Sequence, residues 1–468
     1  MRGVSGRGFA MVSDVAIIGA GVVGCALARR FALEGIGVTL IEAGSDILSG
    51  ASKANSAILH TGFDAPPGSL ELACIKAGHA EYLAIREAMG LPLLRCGALV
   101  VAWSEAEEEA LEGIRAQALG NGIGNVALVG QERLRAMEPQ LSTQARAALH
   151  VPDEALIDPW SPFLAYVEQA MAHGATVQLN TRVTGGTFDG EAWHIDTSTG
   201  TLSARLVINC AGNQGDVIEK LLLGASDFEI RPRKGQFVVF DKAAHGLASA
   251  VILPVPNERT KGVVVTRTVF GNLLVGPTAE EQEDRERTEV DHDQLEALIR
   301  RGVEILPALA HMPVTACYAG LRPATEKKDY RITAKPGQNW ISVGGIRSTG
   351  LSAALGIARY VFGLYASRGR KGTPVDSPSI PVVPNLTEHM PRDYASPGYG
   401  EIICHCELVT RREIETALAR PLPAGDFGGL KRRTRCAMGR CQGFNCSARL
   451  ASLTRGRFPV SLDAGEAR

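Results

Sequence analysis

Short apolar runs recur along this chain, and several of them close on glycine. DVAIIGAGVVGCALA (residues 14–28) reads as a buried strand, a glycine turn and a helix. GVTLIEAG (37–44) supplies a second strand, LVINCAGNQGD (206–216) a third, and ISVGGIRSTGLSAALGIARYV (341–361) a strand, loop and helix. KGQFVVFD (234–241), KGVVVTRTVFGNLLVGPTA (261–279) and LHVPDEALIDP (149–159) read as strands of a mixed sheet. SEAEEEALEGIRAQALGNG (104–122) has the acidic start and glycine end of a capped surface helix. The pattern stops at residues 369–397, which hold six prolines and read as a linker or extended strap, placing a boundary near 398. Beyond it, Thr410 with Glu413 three residues later predicts a capping box at a helix start.

Composition narrows the class. At 468 residues, with 45% apolar and 21% charged residues, the chain is long enough for two or three globular domains. The net charge of −1 conceals an asymmetry: from Tyr399 onward twelve Lys/Arg face seven Asp/Glu, so the tail is +5 and the remainder −6. No apolar run reaches the ~18 residues of a membrane span, and the opening MRGVSGRGFAM carries no signal-peptide pattern, so a cytoplasmic protein is expected, attached to a membrane only through a partner. Those first eleven residues read as a disordered tail or a start-site artefact.

The glycine turn carries the first chemistry. Gly19, Gly21 and Gly24 form GxGxxG: the first glycine permits a tight turn, the second lets a pyrophosphate approach the backbone, and the third lets helix pack on strand. Glu42 ends the next strand about twenty residues on, where an acid accepts both ribose hydroxyls of an unphosphorylated adenosine. FAD and NAD share this fingerprint. Small polar residues in SGASKANSAILHTG (49–62), with Ser52, Asn55 and Ser56, suit a pyrophosphate and flavin. The later returns at Ala211–Gly212 and at Gly345–Ser352 are hard to fit to a compact NAD half-domain.

The second chemistry lies in the cysteines, five of which fall at 404, 406, 436, 441 and 446. In a reducing compartment such clustering points to metal or redox chemistry. Cys-x-Cys and Cys-x4-Cys suit a [2Fe-2S] cluster whose irons each take two sulfurs, and a structural zinc site is the alternative that spacing leaves open. The basic run KRRTR (431–435) and Arg440 are placed to offset cluster charge, and with no aromatics interleaved they do not read as a nucleic-acid surface.

NSAILHTGFDAPPGSLEL, DEALIDPW, NCAG, YAGLRPAT and VGGIRSTGLSAALGIA together resemble the D-amino-acid-oxidase-like flavoproteins, in particular the glycerol-3-phosphate dehydrogenase and 2-hydroxyglutarate oxidase branch. The resemblance implies an α/β fold: a Rossmann-like FAD-binding domain (about 13–79, 151–225 and 319–370) with a discontinuous mixed-sheet substrate domain (about 80–150 and 226–318). It implies FAD contacts at Gly19, Gly21, Gly24, Glu42, Ser52, Asn55, Ser56, Val183, Ala211, Gly212, Gly345, Arg347, Gly350, Leu351 and Ser352. His60 matches a histidine that faces the flavin and accepts or holds the substrate hydroxyl; without the family it reads as a structural residue. Arg322 matches an arginine directed at the anionic end of substrate. Arg347 stands where relatives often carry an acidic or neutral residue, and EKKDYR (326–331) reads as a solvated hairpin tip.

C-x-C-x-x-V-T and M-G-x-C-Q-G-x-x-C near the C-terminus resemble the bacterioferritin-associated-ferredoxin-like [2Fe-2S] domain, expected as a small helical unit over 399–460 after a linker at 371–398. The resemblance implies Cys404, Cys406, Cys441 and Cys446 as ligands, with Cys436 the alternative to Cys446. The expected function is an FAD-dependent dehydrogenase that takes a hydride from a small anionic alcohol and passes electrons through the cluster to a partner subunit or quinone-linked acceptor. Oxidation of a 2-hydroxy acid, amino acid or opine is one alternative, and a non-catalytic electron-transfer subunit another.

Overall fold

The computed structural model describes residues 12–256 and 262–462; the opening residues 1–11 and Lys261, at the head of one expected strand run, lie outside them. The glycine-closed strands assemble as expected. Thr176–Gln178, Val38–Ile41, Val15–Ile18, Val207–Asn209 and Trp340–Gly344 lie side by side in parallel, and Arg331–Lys335 adds an antiparallel edge. Ile17 pairs with Leu40 on one side and Ile208 on the other. All four residues of Val15–Ile18 and of Val38–Ile41 are buried. Unbroken apolar runs fit this place, because a parallel sheet is covered on both faces. Helices Val22–Leu33 and Gly350–Ala366 pack over it.

A second, nine-stranded sheet joins two distant segments. Ala98–Ala102, Ala127–Gly130 and Ala147–Val151 come from the first; Arg231–Phe240, Val264–Arg267, Leu273–Gly276 and Val314–Ala324 are among those from the second. The seam is a parallel pairing of Val251–Pro254 with Ala98–Ala102, and antiparallel pairs around it make the sheet mixed. Arg231–Phe240 and Val314–Ala324 run antiparallel along nearly their whole length, with Arg233 opposite Arg322 and Phe237 opposite Tyr318. LHVPDEALIDP divides between sheets: Ala147–Val151 stays in the large one, while Ala155–Leu156 pairs with Ile58–Leu59.

Residues 369–398 form a strap pinned to the nucleotide-binding part and, further on, to the nine-stranded sheet's part. Val375 N donates to Leu33 O at 2.9 Å and Glu388 N to Val269 O at 2.9 Å. Gln169 Nε2 donates to Ser379 O at 2.6 Å. The C-terminal unit follows as a hairpin, Ile402–Cys404 with Val409–Thr410, and helices Arg411–Ala419, Phe427–Thr434 and Ser447–Thr454. Its capping box closes in both directions: Glu413 N donates to Thr410 Oγ1 at 3.0 Å, and Thr410 N to Glu413 Oε2 at 2.8 Å.

Two local expectations change. The helix Glu105–Gly120 starts at Ser104 as read, but Asn121 caps its end. EKKDYR is solvated only at Glu326, Lys327 and Lys328. Asp329 turns inward and accepts from Leu70 N and Glu71 N at the start of helix Leu70–Met89, because those helix-end amides need an acceptor. Among the described residues no helix is long and apolar enough to cross a membrane.

Candidate functional site

Where the strand Val15–Ile18 ends, the chain turns against its neighbour. Gly19 adopts φ +103°, and a Cβ there would sit 2.7 Å from the Cys210 carbonyl oxygen; one on Gly24 would sit 1.9 Å from the Gly19 oxygen. Both are approaches to backbone, so no rotamer relieves them. The turn aims the N-terminus of helix Val22–Leu33 into a cavity of about 740 Å³ between the two large sheets. Glu42 is fixed at its wall, with Oε2 accepting from Ala20 N at 2.7 Å and Oε1 from Gly44 N at 2.8 Å. Each oxygen has a further lone pair for a ribose hydroxyl. Ser52 Oγ accepts from Val22 N at 3.0 Å, fastening the loop 49–56 to the helix start.

The cavity gathers residues scattered over the chain. Gly19, Gly21, Glu42, Ser52, Asn55, Ser56, Val183, Ala211, Gly212, Arg322, Gly345, Arg347, Gly350 and Leu351 all line it. Gly24, His60 and Ser352 do not: Gly24 lies beneath the turn, and Ser352 Oγ accepts from His60 N at 2.8 Å. Thr181, Cys210, Phe237 and Arg285 also line it without having been singled out, since each belongs to a strand or loop whose pattern is satisfied by packing alone. An elongated cavity with glycine backbone at one end, an acid for a ribose and a cation toward the other fits FAD.

His60 follows the strand Ile58–Leu59. Antiparallel pairing of Leu59 with Ala155 brings Glu154 opposite it, 2.9 Å from Nδ1 to Oε2. Arg322 lies on Val314–Ala324, and its guanidinium donates to the carbonyls of Arg233 (3.3 Å), Lys234 (3.1 Å) and Thr278 (2.7 Å). Burial, reinforced by the Arg233 charge, pushes Arg322 down to about 10, so it remains a cation at neutral pH. Among the described residues its hydrogen bonds reach no carboxylate. Arg347 differs: it donates to Lys328 O and, at 3.3 Å, to the buried Glu71, which also accepts from Thr349 Oγ1 at 2.6 Å. Its charge is matched within the protein.

At the C-terminal end the thiols pair. Cys406 and Cys441 are within hydrogen-bonding reach of each other, as are Cys404 and Cys446, and Cys446 is also close to Cys441. Two thiol pairs side by side suit a dinuclear cluster, because each iron takes two sulfurs. Cys404 and Cys446 are buried, while Cys406 and Cys441 reach the surface. Cys436 is fully buried beside Cys404 and Cys446, its amide donating to Thr434 Oγ1 at 3.2 Å.

The basic residues mostly face the nucleotide-binding part. Arg433 grips the buried Asp46 with two bonds, 2.5 and 2.8 Å, and Arg432 donates to Ile47 O at 3.0 Å. Arg420 grips Glu168 at 2.5 and 2.8 Å, and Arg440 grips Asp241 at 2.7 and 2.9 Å. Arg435 donates to Glu407 at 2.9 Å while lying 4.0 Å over the Phe270 ring. Phe270 stacks on Trp160, and Trp160 Nε1 donates to Lys53 O at 3.3 Å on the cavity wall. The tail's excess positive charge thus meets carboxylates of this same chain.

Comparison with known proteins agrees with this geometry. A family model described as FAD dependent oxidoreductase matches residues 14–364, and one described as BFD-like [2Fe-2S] binding domain matches residues 402–454. A glycerol 3-phosphate dehydrogenase of Caloramator mitchellensis is 34% identical over 96% of this chain and 95% of its own. An L-2-hydroxyglutarate dehydrogenase of Indibacter alkaliphilus is 29% identical over 57% of this chain and 67% of its own. The dithionite-reduced L-alpha-glycerophosphate oxidase of Mycoplasma pneumoniae, solved with FAD bound, superposes with a TM-score of 0.74 at 27% identity, covering 78% of this chain and 97% of that one. The chain belongs to the FAD dependent oxidoreductase family, an FAD enzyme with a [2Fe-2S]-binding domain at its C-terminal end.

Proposed function

We propose that the enzyme is a dehydrogenase of small anionic alcohols, with glycerol 3-phosphate as substrate, and that its electrons leave through the cluster to a partner protein or quinone-linked acceptor. The observation that carries the reading is Arg322, a buried cation on the cavity wall whose hydrogen bonds run to carbonyls. A planar fork in that position suits a phosphate or carboxylate. The full-length likeness to a glycerol 3-phosphate dehydrogenase supports the first. The Mycoplasma oxidase leaves about a fifth of this chain without a counterpart, which supports an acceptor other than oxygen.

In this reading FAD is held by the cavity residues from Gly19 to Leu351, and the cluster by Cys404, Cys406, Cys441 and Cys446. When bound, FAD accepts a hydride and the [2Fe-2S] centre carries single electrons. Arg322 orients the anionic end of substrate, and His60 takes the hydroxyl proton. The nine-stranded sheet supplies one wall of the cavity, through Gly235, Phe237 and Leu321. The working division into units is residues 13–370, 371–398 and 399–460.

A second reading, a 2-hydroxy acid as substrate, is favoured by the same arginine and by the likeness to an L-2-hydroxyglutarate dehydrogenase. Anaerobic mixing of holoenzyme with each compound decides between them: glycerol 3-phosphate is expected to bleach the flavin band fully and L-2-hydroxyglutarate not. The reverse result establishes the second reading. Rapid turnover with oxygen alone, unaffected by loss of iron, contradicts the proposed exit route.

A further inference from the structure

The geometry points to Glu154 as the positioning residue of His60: it fixes the imidazole tautomer and becomes the counter-ion when the ring takes a proton. The inference rests on the reading above that His60 is the base.

Glu154 is fully buried in the turn between Ala147–Val151 and Ala155–Leu156. Its Oε1 accepts from Thr61 N at 2.6 Å and from Thr61 Oγ1 at 2.8 Å, and its Oε2 meets His60 Nδ1 at 2.9 Å. As a carboxylate Glu154 accepts at both oxygens, so Nδ1 carries the hydrogen. In the neutral ring Nε2 is then the proton acceptor. A charge removed from water needs a partner, and the ion-pair partner of Glu154 is His60.

The placement follows from two elements that hold residue 60, one at its ring and one at its backbone. Strand pairing sets residue 154 against residue 60, because Leu59 lies opposite Ala155. Behind His60, Ser352 Oγ accepts from its amide at 2.8 Å and donates to Ile58 O at 3.2 Å. Ser352 stands in the first turn of helix Gly350–Ala366, whose start lines the flavin cavity. The backbone that carries the ring is therefore tied to the same helix end that lines the flavin cavity.

Other titratable groups face the pair. His79, on helix Leu70–Met89, is lowered by burial against the pull of Glu154 and a hydrogen bond to the Asp153 backbone, with Arg95 opposing. Cys96 is pushed up to about 11, first by burial and further by Glu154, so it remains a thiol at neutral pH. Among these neighbours the imidazolium of His60 is the cation that turnover creates against Glu154.

The test uses holoenzyme carrying Glu154→Gln. The amide keeps an oxygen for Thr61 but offers N–H to Nδ1, forcing the hydrogen onto Nε2. Flavin reduction by substrate is expected to slow at least about 100-fold with little change in substrate affinity, as for other bases held in the wrong tautomer. Imidazole 15N shifts of His60 in the oxidised holoenzyme should move from an Nδ1–H to an Nε2–H pattern, and the acid limb of the pH–rate profile to lower pH, since a negative neighbour is lost. Thr61→Val, which loosens the carboxylate without changing charge, should slow reduction by a smaller factor and serves if the first variant does not fold. Unchanged tautomer and acid limb in folded Glu154→Gln, or an unchanged rate in Thr61→Val where only that variant folds, overturns the inference. If His60→Asn reduces flavin as fast as the parent, the base reading falls and takes the catalytic part of the inference with it; the 15N shifts still judge the pairing.

Discussion

Arg322 shows how much a single side chain can be read before folding and how much only after it. A cation bonded to three carbonyls, with burial working against its charge, gains most from an arriving anion. Replacement of Arg322 by Ala is expected to lower kcat/KM about 10- to 100-fold, the worth of a hydrogen-bonded charge pair, and Arg322→Lys to recover only part. Equal kcat/KM in both variants and the parent would remove Arg322 from the site. This arginine, Glu42 and the glycines were visible in the sequence because each sits in a motif of a few residues. Glu154 was not, since it lies 94 positions from His60 and only a two-residue strand pairing brings them together. Arg347 carries the opposite lesson: it stands on the cavity, yet its charge faces Glu71.

At the scale of elements, short-range pattern did well. Strand, turn and helix at 14–28 and the capping box at Thr410 are decided by neighbours in sequence, and both formed. The strap was legible as irregular chain but not as a bonded one, because its partners Leu33, Gln169 and Val269 lie far away in sequence. The two thiol pairs join a hairpin to the loop before helix Ser447–Thr454, so both elements must be present for either pair. Cys441→Ser is expected to remove the iron absorbance and about two irons per chain while leaving FAD bound. Retained iron with this change would remove Cys441 from the ligand set, and retained iron in Cys446→Ser would bring in Cys436, its alternative.

For the whole molecule, the +5 tail reads in the sequence as charge set against the cluster, whereas several of its arginines are bonded to carboxylates outside the C-terminal unit. Three arginines of the C-terminal unit meet Asp46, Glu168 and Asp241, and a Cβ on Gly425 would lie 1.7 Å from the Ser45 carbonyl oxygen. Asp46→Asn leaves Arg433 without its counter-charge, at a cost of about 3–5 kcal/mol to docking. Gly425→Ala acts sterically in the same direction. Both are expected to speed proteolysis within the strap while leaving the FAD content unchanged, as limited digestion will show. The Arg440 guanidinium holds the Asp241 carboxyl at about 2, below its ordinary value of about 3.9. That pair contributes fully above about pH 4 and is lost as pH falls through 2, so cleavage should stay flat from neutrality to about pH 4 with respect to it.

One strand ties these scales together. Arg233 and Lys234, near the start of Arg231–Phe240, give their carbonyls to Arg322, while Asp241 and Lys242, just past its end, hold Arg440 and Glu407. Eight residues of extended chain span roughly 26 Å, and pairing with Val314–Ala324 keeps them from sliding. The strand is a fixed ruler between Arg322, the arginine proposed to grip substrate, and the contacts that seat the cysteine-bearing unit. Whatever shifts the sheet at Arg322 carries the far end with it, so under the proposed function the cluster-bearing unit would keep its distance from the substrate end.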